Sequence, residues 1–269
     1  MSEFVDHAKK FISSAPPGEI KEVGRDIRVI YDDPSVLFEC ADAFRENNEK
    51  NGVILRTSDN NAVILSPLAS GGSNPDTYKV CRGTGLVQVD HVKGEIVSEL
   101  AEESGESEEE KEVREKLYSA ATEYARNHYP TGEVGVYTQA EGAGWGLCIS
   151  SPRFNAANFW NGSWISSWTI DASGNMSGTV KATVHYYENG NVLLTAGKEL
   201  QASGAGDPST WISALMKEET AFHSELNAAF HSLSESVFKG LRRKLPVMGK
   251  TLEWENIAGY KLGEELSKK

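Results

Sequence analysis

Along residues 3–50 apolar side chains recur at steps of three and four, broken by two turn signals. Phe4, Ala8, Phe11 and Ile12 precede Pro16-Pro17-Gly18; Ile20, Val23, Ile27 and Ile30 follow it; Asp33-Pro34-Ser35 then opens a segment with Val36, Leu37, Cys40, Ala43 and Phe44. One face of a helix repeats every 3.6 residues, so this pattern predicts three helices, and the short breaks make them antiparallel neighbours. From Gly52 the pattern shifts to short β-branched runs: Val53-Ile54-Leu55, Ala62 to Leu65, Tyr78-Lys79-Val80 and Leu86 to Val89. Gly, Pro, Ser and Asn separate them, which predicts a small β unit with turns between strands.

Eight glutamates lie between Glu102 and Glu115. The first half of this stretch, with Ser104, Gly105 and Ser107, reads as a loop, and the second half as the solvated start of a helix. Val113, Leu117, Ala121, Tyr124 and Ala125 then continue at helical spacing as far as Tyr129-Pro130. No EF-hand spacing supports a calcium role for the run. Residues 132–200 carry Val134, Val136, Leu147, Ile149, Trp164, Trp168, Val180, Val184 and Val192, punctuated by Asn161-Gly162, Ser173-Gly174-Asn175 and Asn189-Gly190. Asn-Gly pairs tolerate positive φ and favour hairpins, so an antiparallel meander of about five strands is expected. Trp164 and Trp168 share a face of one strand, which suits packing under a helix better than a ligand platform.

Asp207 and Pro208 form the cap and first position of a long helix carrying Trp211, Leu215, Phe222, Leu226, Ala229, Leu233, Val237, Leu241 and Leu245. Uninterrupted to Pro246, it would be a rod of roughly 55 Å whose single apolar stripe needs a sheet or a second helix to cover it. Past Gly249 an amphipathic tail follows, with Leu252, Trp254, Ile257, Ala258, Leu262 and Leu266. The fold class is thus α+β, in six parts: a three-helix unit over 1–50, a small β unit over 51–101, an acidic loop and helix over 102–131, an antiparallel sheet over 132–206, the long helix over 207–246 and a tail over 247–269.

Composition alters this picture at one place. The chain carries 39 acidic and 27 basic residues for a net charge of −12. Yet Phe238 to Lys250 gathers Lys239, Arg242, Arg243, Lys244 and Lys250 without a carboxylate. One or two cations would merely suit a helix C-terminus, whereas this cluster also makes a surface for an acidic partner. Without interleaved aromatics on an acidic chain, it does not point to nucleic acid. There is no basic start followed by an apolar run and no apolar stretch of membrane-spanning length, so an intracellular protein is expected.

Candidate chemistry is sparse. Cys40, Cys81 and Cys148 are odd in number and lack paired spacing, which argues for reduced thiols. The six histidines, His7, His91, His128, His185, His223 and His231, form no metal-binding motif. Gly142-Ala143-Gly144-Trp145-Gly146 lacks the lysine of a phosphate loop, there is no nucleophile elbow, and the sequons at Asn161 and Asn175 read as turns. No enzyme, cofactor or metal is expected.

His185-Tyr-Tyr-Glu-Asn-Gly-Asn-Val192, Phe238-Lys-Gly-Leu-Arg-Arg-Lys-Leu-Pro246, Phe159-Trp-Asn-Gly-Ser-Trp164 and Ala15-Pro-Pro-Gly-Glu19 occur in the same order as in one known family. Together they resemble the F-actin capping protein alpha subunit over nearly the full length, most closely after Asn158. That resemblance implies a heterodimer with a beta subunit through a shared antiparallel sheet, and binding to the barbed end of an actin filament without severing. Carried residue by residue, it places actin contacts on Lys239 and Arg243, with Arg242 and Lys244 beside them, and on the apolar face of the tail at Trp254, Ile257 and Leu262. Where the family has a cation before the Trp, this chain has Gly249, with Lys250 next to it as the substitute. The resemblance also implies phosphoinositides and protein regulators as further partners, in the cytoplasmic actin cytoskeleton. A peripheral module for anionic lipid, or for the end of an actin-related filament, would use the same cations and is the competing reading.

Overall fold

The structure, a computed structural model, describes residues 2–32, 35–72, 74–100, 105–139, 144–188 and 191–232. It divides into a unit spanning Met1–Phe222 and a second spanning His223–Lys269. Of the second, only the helical residues 223–232 are described, with Phe230 exposed.

Helices α1 (Ser2–Ser14), α2 (Ile20–Tyr31), α3 (Ser35–Glu39) and α4 (Ala41–Lys50) enclose Val5, Ala8, Ile12, Ile27, Val36, Leu37, Cys40, Ala43 and Phe44. The expected three helices are four, because the third segment breaks at Cys40. The Cys40 N–H bonds back to the Leu37 carbonyl at 3.2 Å, and the turn lets Val36-Leu37 and Ala43-Phe44 reach the same core. Asn47 then donates through Nδ2 to the carbonyls of Ile12 and Ala15, at 2.9 and 3.1 Å, tying α4 to the end of α1.

Two short sheets follow. β1 (Ile54–Arg56) pairs with β2 (Ala62–Ile64), while β3 (Thr77–Lys79), β4 (Leu86–Asp90) and β5 (Glu95–Leu100) form an antiparallel trio. β5 escapes the pattern reading because its burial is shallow and Val97 is exposed. A buried chain of polar groups joins the helices to this trio. Asn48 donates to His91 Nδ1 at 3.3 Å; Nε2 then faces the Tyr78 hydroxyl at 3.2 Å, which donates to Glu49 at 2.6 Å. This order assigns the His91 proton to Nε2.

Helix α5 (Glu108–His128) begins in the acidic run with a capping box. The Ser107 hydroxyl accepts from the Glu110 N–H at 3.2 Å, and the Glu110 carboxylate accepts from the Ser107 N–H at 2.8 Å. Glu108, Glu109 and Glu110 thus sit where the helix dipole favours negative charge. Glu106 differs from its solvated neighbours: it is paired bidentately with buried Arg114, at 2.8 and 3.2 Å.

The main sheet is a five-stranded antiparallel meander in chain order: β6 (Glu133–Thr138), β7 (Trp145–Asn155), β8 (Trp160–Ile170), β9 (Asn175–Tyr186) and β10 (Val192–Ser203). Asn161-Gly162 is not its turn. Those residues lie inside β8, paired with Phe154 and Arg153 of β7, and the reversal falls at Ala156–Asn158, closed by Phe159 at φ +56°. The sequon asparagines Asn161 and Asn175 are accordingly strand residues. Asn189-Gly190 lies outside the described residues.

Side-chain alternation gives the sheet two different faces. Trp145, Leu147, Ile149, Trp164, Trp168, Ile170, Val180 and Leu200 lie under α5 and α6 (Pro208–Ser232), which contribute Leu117, Ala121 and Tyr124 and Trp211, Ile212, Leu215 and Phe222. Gly178 faces Trp168 in register, and a Cβ there would lie 2.4 Å from the indole. The opposite face brings Tyr137, Cys148 and Ile165 into the core of the small β unit with Val63, Ile64, Leu65 and Tyr78. Helix α6 starts as its sequence suggests, with Asp207 Oδ1 accepting from the Thr210 N–H at 3.2 Å.

One residue on the buried stripe of α6 is a carboxylate, Glu219, fully removed from solvent. Its Oε2 accepts from the hydroxyls of Tyr124 and Tyr129, each at 2.7 Å. Its Oε1 accepts from the Ser166 hydroxyl, and the single Trp168 indole N–H is shared between Ser166 Oγ at 2.7 Å and Glu219 Oε1 at 3.1 Å. Helix α6, the end of α5 and the centre of β8 thus converge on one anion.

Removing one member of a buried charged network leaves its partners unsatisfied. Glu219→Ala is therefore expected to lower stability by about 3 kcal/mol or more in urea unfolding. A second expectation concerns acid. Burial lowers the His91 pKa to about 4 from 6.5, so the unfolded chain takes up a proton first as pH falls. The stability His91 contributes is complete above pH 6.5 and is lost on acidification towards pH 4. Unfolding measured across that range should show about 2 kcal/mol of loss that His91→Gln removes.

Candidate functional site

The residues singled out for partner binding, Lys239, Arg242, Arg243, Lys244, Lys250, Trp254, Ile257 and Leu262, all lie outside the described residues. So does the expected continuation of the long helix from Leu233 to Pro246. What the structure brings together is different: three of the four stretches that carry the family resemblance meet at one joint.

Pro16-Pro17-Gly18 leads α1 into α2, with Gly18 at φ +80°, a conformation that disfavours a side chain. A Cβ at Gly18 would lie 2.7 Å from the ring of Phe154 at the end of β7, so the turn sits directly on an aromatic face. The next residue, Glu19, uses Oε1 to accept from Asn161 Nδ2 of β8 at 2.8 Å and to bond His185 Nδ1 of β9 at 2.6 Å. The other ring nitrogen of His185 meets Asn191 Oδ1 at 2.9 Å, just before β10. Alongside, the Tyr187 N–H donates to the Phe159 carbonyl at 2.9 Å and their rings meet edge to face at 6.0 Å. The joint fastens the N-terminal helices to the ends of β8 and β9, and its residues are taken up in contacts within the chain.

One surface left open among the described residues is the far edge of the main sheet. Beyond β6, Val136 N–H reaches the Cys81 carbonyl at 3.4 Å and β2 packs alongside, so that edge is covered. β10 pairs with β9 along its whole length and, among the described residues, with no strand on its other side. Val184, Tyr186, Val192 and Leu193 are exposed around it, from 38% to 47%. A long edge strand with apolar neighbours offers unpaired backbone groups to another chain. Neither the alternation pattern nor the turn signals mark which edge stays open, because both edges read alike in sequence.

Among the described residues no group of three His, Cys, Asp or Glu side chains is placed to hold a metal ion. Cys40, Cys81 and Cys148 are free and buried, and burial pushes the Cys81 thiol up to about 12 and the Cys148 thiol to about 11. No helix among the described residues is long and apolar enough to cross a membrane.

The arrangement defines an α+β class: a meander sheet covered by helices on one face, by a small β unit on the other, with one long strand edge open. The F-actin capping protein alpha subunit family matches residues 8–265, and the chain belongs to that family. It is 34% identical over 262 residues to the F-actin-capping protein subunit alpha of Chaetomium thermophilum, covering 95% of this chain and 93% of the relative. With the protein of the same description from Dictyostelium discoideum it shares 32% over 280 residues, covering 99% and 98%. The fold matches that of the homodimeric actin capping protein alpha subunit from Plasmodium berghei with a TM-score of 0.72, at 20% identity, over 93% of this chain and 99% of that one. The family consists of actin-binding structural proteins, not enzymes.

If the joint positions the N-terminal helices, Gly18→Ala should cost about 2 kcal/mol in urea unfolding, because a methyl group at that φ must displace the Phe154 ring.

Proposed function

We propose that this chain pairs with a beta subunit of similar fold and that the pair binds the barbed end of actin filaments, blocking subunit addition and loss without severing. The observation that carries this reading is the family match across 8–265, which includes the cation cluster and most of the tail. The open β10 edge supports it, since a second subunit adding a strand there would satisfy the backbone groups left unpaired.

Mechanism here is steric and electrostatic. Lys239, Arg242, Arg243 and Lys244 supply charge for an acidic filament end, which chiefly raises the association rate. Trp254, Ile257 and Leu262 form the apolar face of a tail that docks on actin, with Lys250 beside it; burying that face slows dissociation at about 25 cal/mol per Å². The protein works in the cytoplasm on the actin cytoskeleton, and phosphoinositides and protein regulators act on the same basic surface.

The test is elongation from filament seeds with free barbed ends, using the chain co-expressed with a beta subunit. Lys239→Ala with Arg243→Ala is expected to slow capping about tenfold and to weaken its salt dependence while the dimer stays intact. Unchanged capping at low salt would remove these cations from the site. Strong sedimentation with anionic liposomes and no effect on elongation would favour the lipid reading instead.

A further inference from the structure

A cleft of about 910 Å³ opens between the C-terminal end of α4, the turn at Pro67–Ala69 and the face of β8 to β10 that is turned away from α5 and α6. Strand alternation sends Ser177, Thr179 and Lys181 of β9 to this face, opposite Met176, Val180 and Ala182. The Lys181 amine donates to the Lys50 backbone carbonyl at 3.3 Å, and among the described residues no carboxylate forms an ion pair with it. Buried Arg114 shows the contrast, since Glu106 holds it bidentately. Lys181 is partly buried and open to the cleft, whose wall also carries Lys50 and the carboxylates Glu46, Glu49 and Glu199, none of them in an ion pair with Lys181 among the described residues. Burial, and then the Lys50 charge, lower its pKa to about 8. A larger share of the amine is then uncharged near neutral pH than for an ordinary lysine.

We propose that Lys181 is an acylation site for small acyl thioesters. A desolvated lysine beside another cation is the arrangement that frees an amine lone pair for attack on a carbonyl. The nitrogen adds to the thioester carbonyl carbon, forming the C–N bond. The C–S bond breaks with its electron pair leaving on sulfur, and the proton shed by nitrogen passes to the thiolate. The cleft is far larger than an acetyl group. The amide formed carries no charge, so the burial that opposes the ammonium no longer acts on the product.

The test is to treat the full-length chain, co-expressed with a beta subunit, at pH 7.5 with S-acetyl-N-acetylcysteamine, a neutral acetyl thioester, and follow each lysine by peptide mass spectrometry. Lys181 is expected to react about ten times faster than exposed Lys10 and Lys217, and to lose that lead in concentrated urea. Equal rates in the folded chain, or a lead that survives unfolding, would overturn the proposal. Lys181→Met keeps the question answerable without chemistry. Its urea midpoint should be equal to or above that of the parent, and a clear drop would show an ammonium held charged and partnered, which also overturns the proposal.

Discussion

The fold depends on a carboxylate buried where a sheet and two helices meet. Glu219 has no contact with solvent, and an ionised carboxylate there is tolerable only if fixed dipoles replace water. Two tyrosines following one another along α5 and its end, a serine and a tryptophan of β8 supply them. Because each donor must reach one of two oxygens, the constraint fixes both the rotation of α6 about its axis and its position along β8. Apolar packing alone would tolerate a slide of the helix along the sheet far more readily, since it lacks direction.

With α6 fixed, the sheet has one face under helices, one face on the small β unit, one edge covered and one edge open. The asymmetry has a simple origin. β6 lies next to the chain segment that builds the small β unit, so Cys81 and β2 shield it, whereas β10 is the last strand and the chain leaves it for α6. Within the main sheet, opening the edge on which Val192 and Leu193 stand limits the ways another strand can add.

Three of the four stretches that carry the family resemblance are taken up in contacts within the chain. Glu19, Asn161, His185 and Asn191 hold the N-terminal helices to the strand ends. Their spacing from 19 to 191 makes them poor candidates for a motif built on local chemistry, and their role appears only where the turn at Gly18 rests on Phe154. The cation cluster, by contrast, is contiguous in sequence and carries its chemistry in its composition.

The sequence by itself determined what depends on near neighbours. The meander count, the buried stripes of α5 and α6, the Asp207 cap and the pairing of Trp164 with Trp168 on one face all follow from periods of two and 3.6 residues and from local capping. The basic cluster was legible as a candidate site for the same reason, since charge density needs no contacts to be seen. Tertiary structure decided what depends on distant partners. It turned one expected helix into α3 and α4, moved the β7–β8 reversal from Asn161-Gly162 to Ala156–Asn158, and placed Glu219 inside the core although a glutamate on a helix reads as exposed. It also chose β10 as the open edge. Each of these turns on which group, tens of residues away, satisfies a hydrogen bond or covers a surface, and no local period records that.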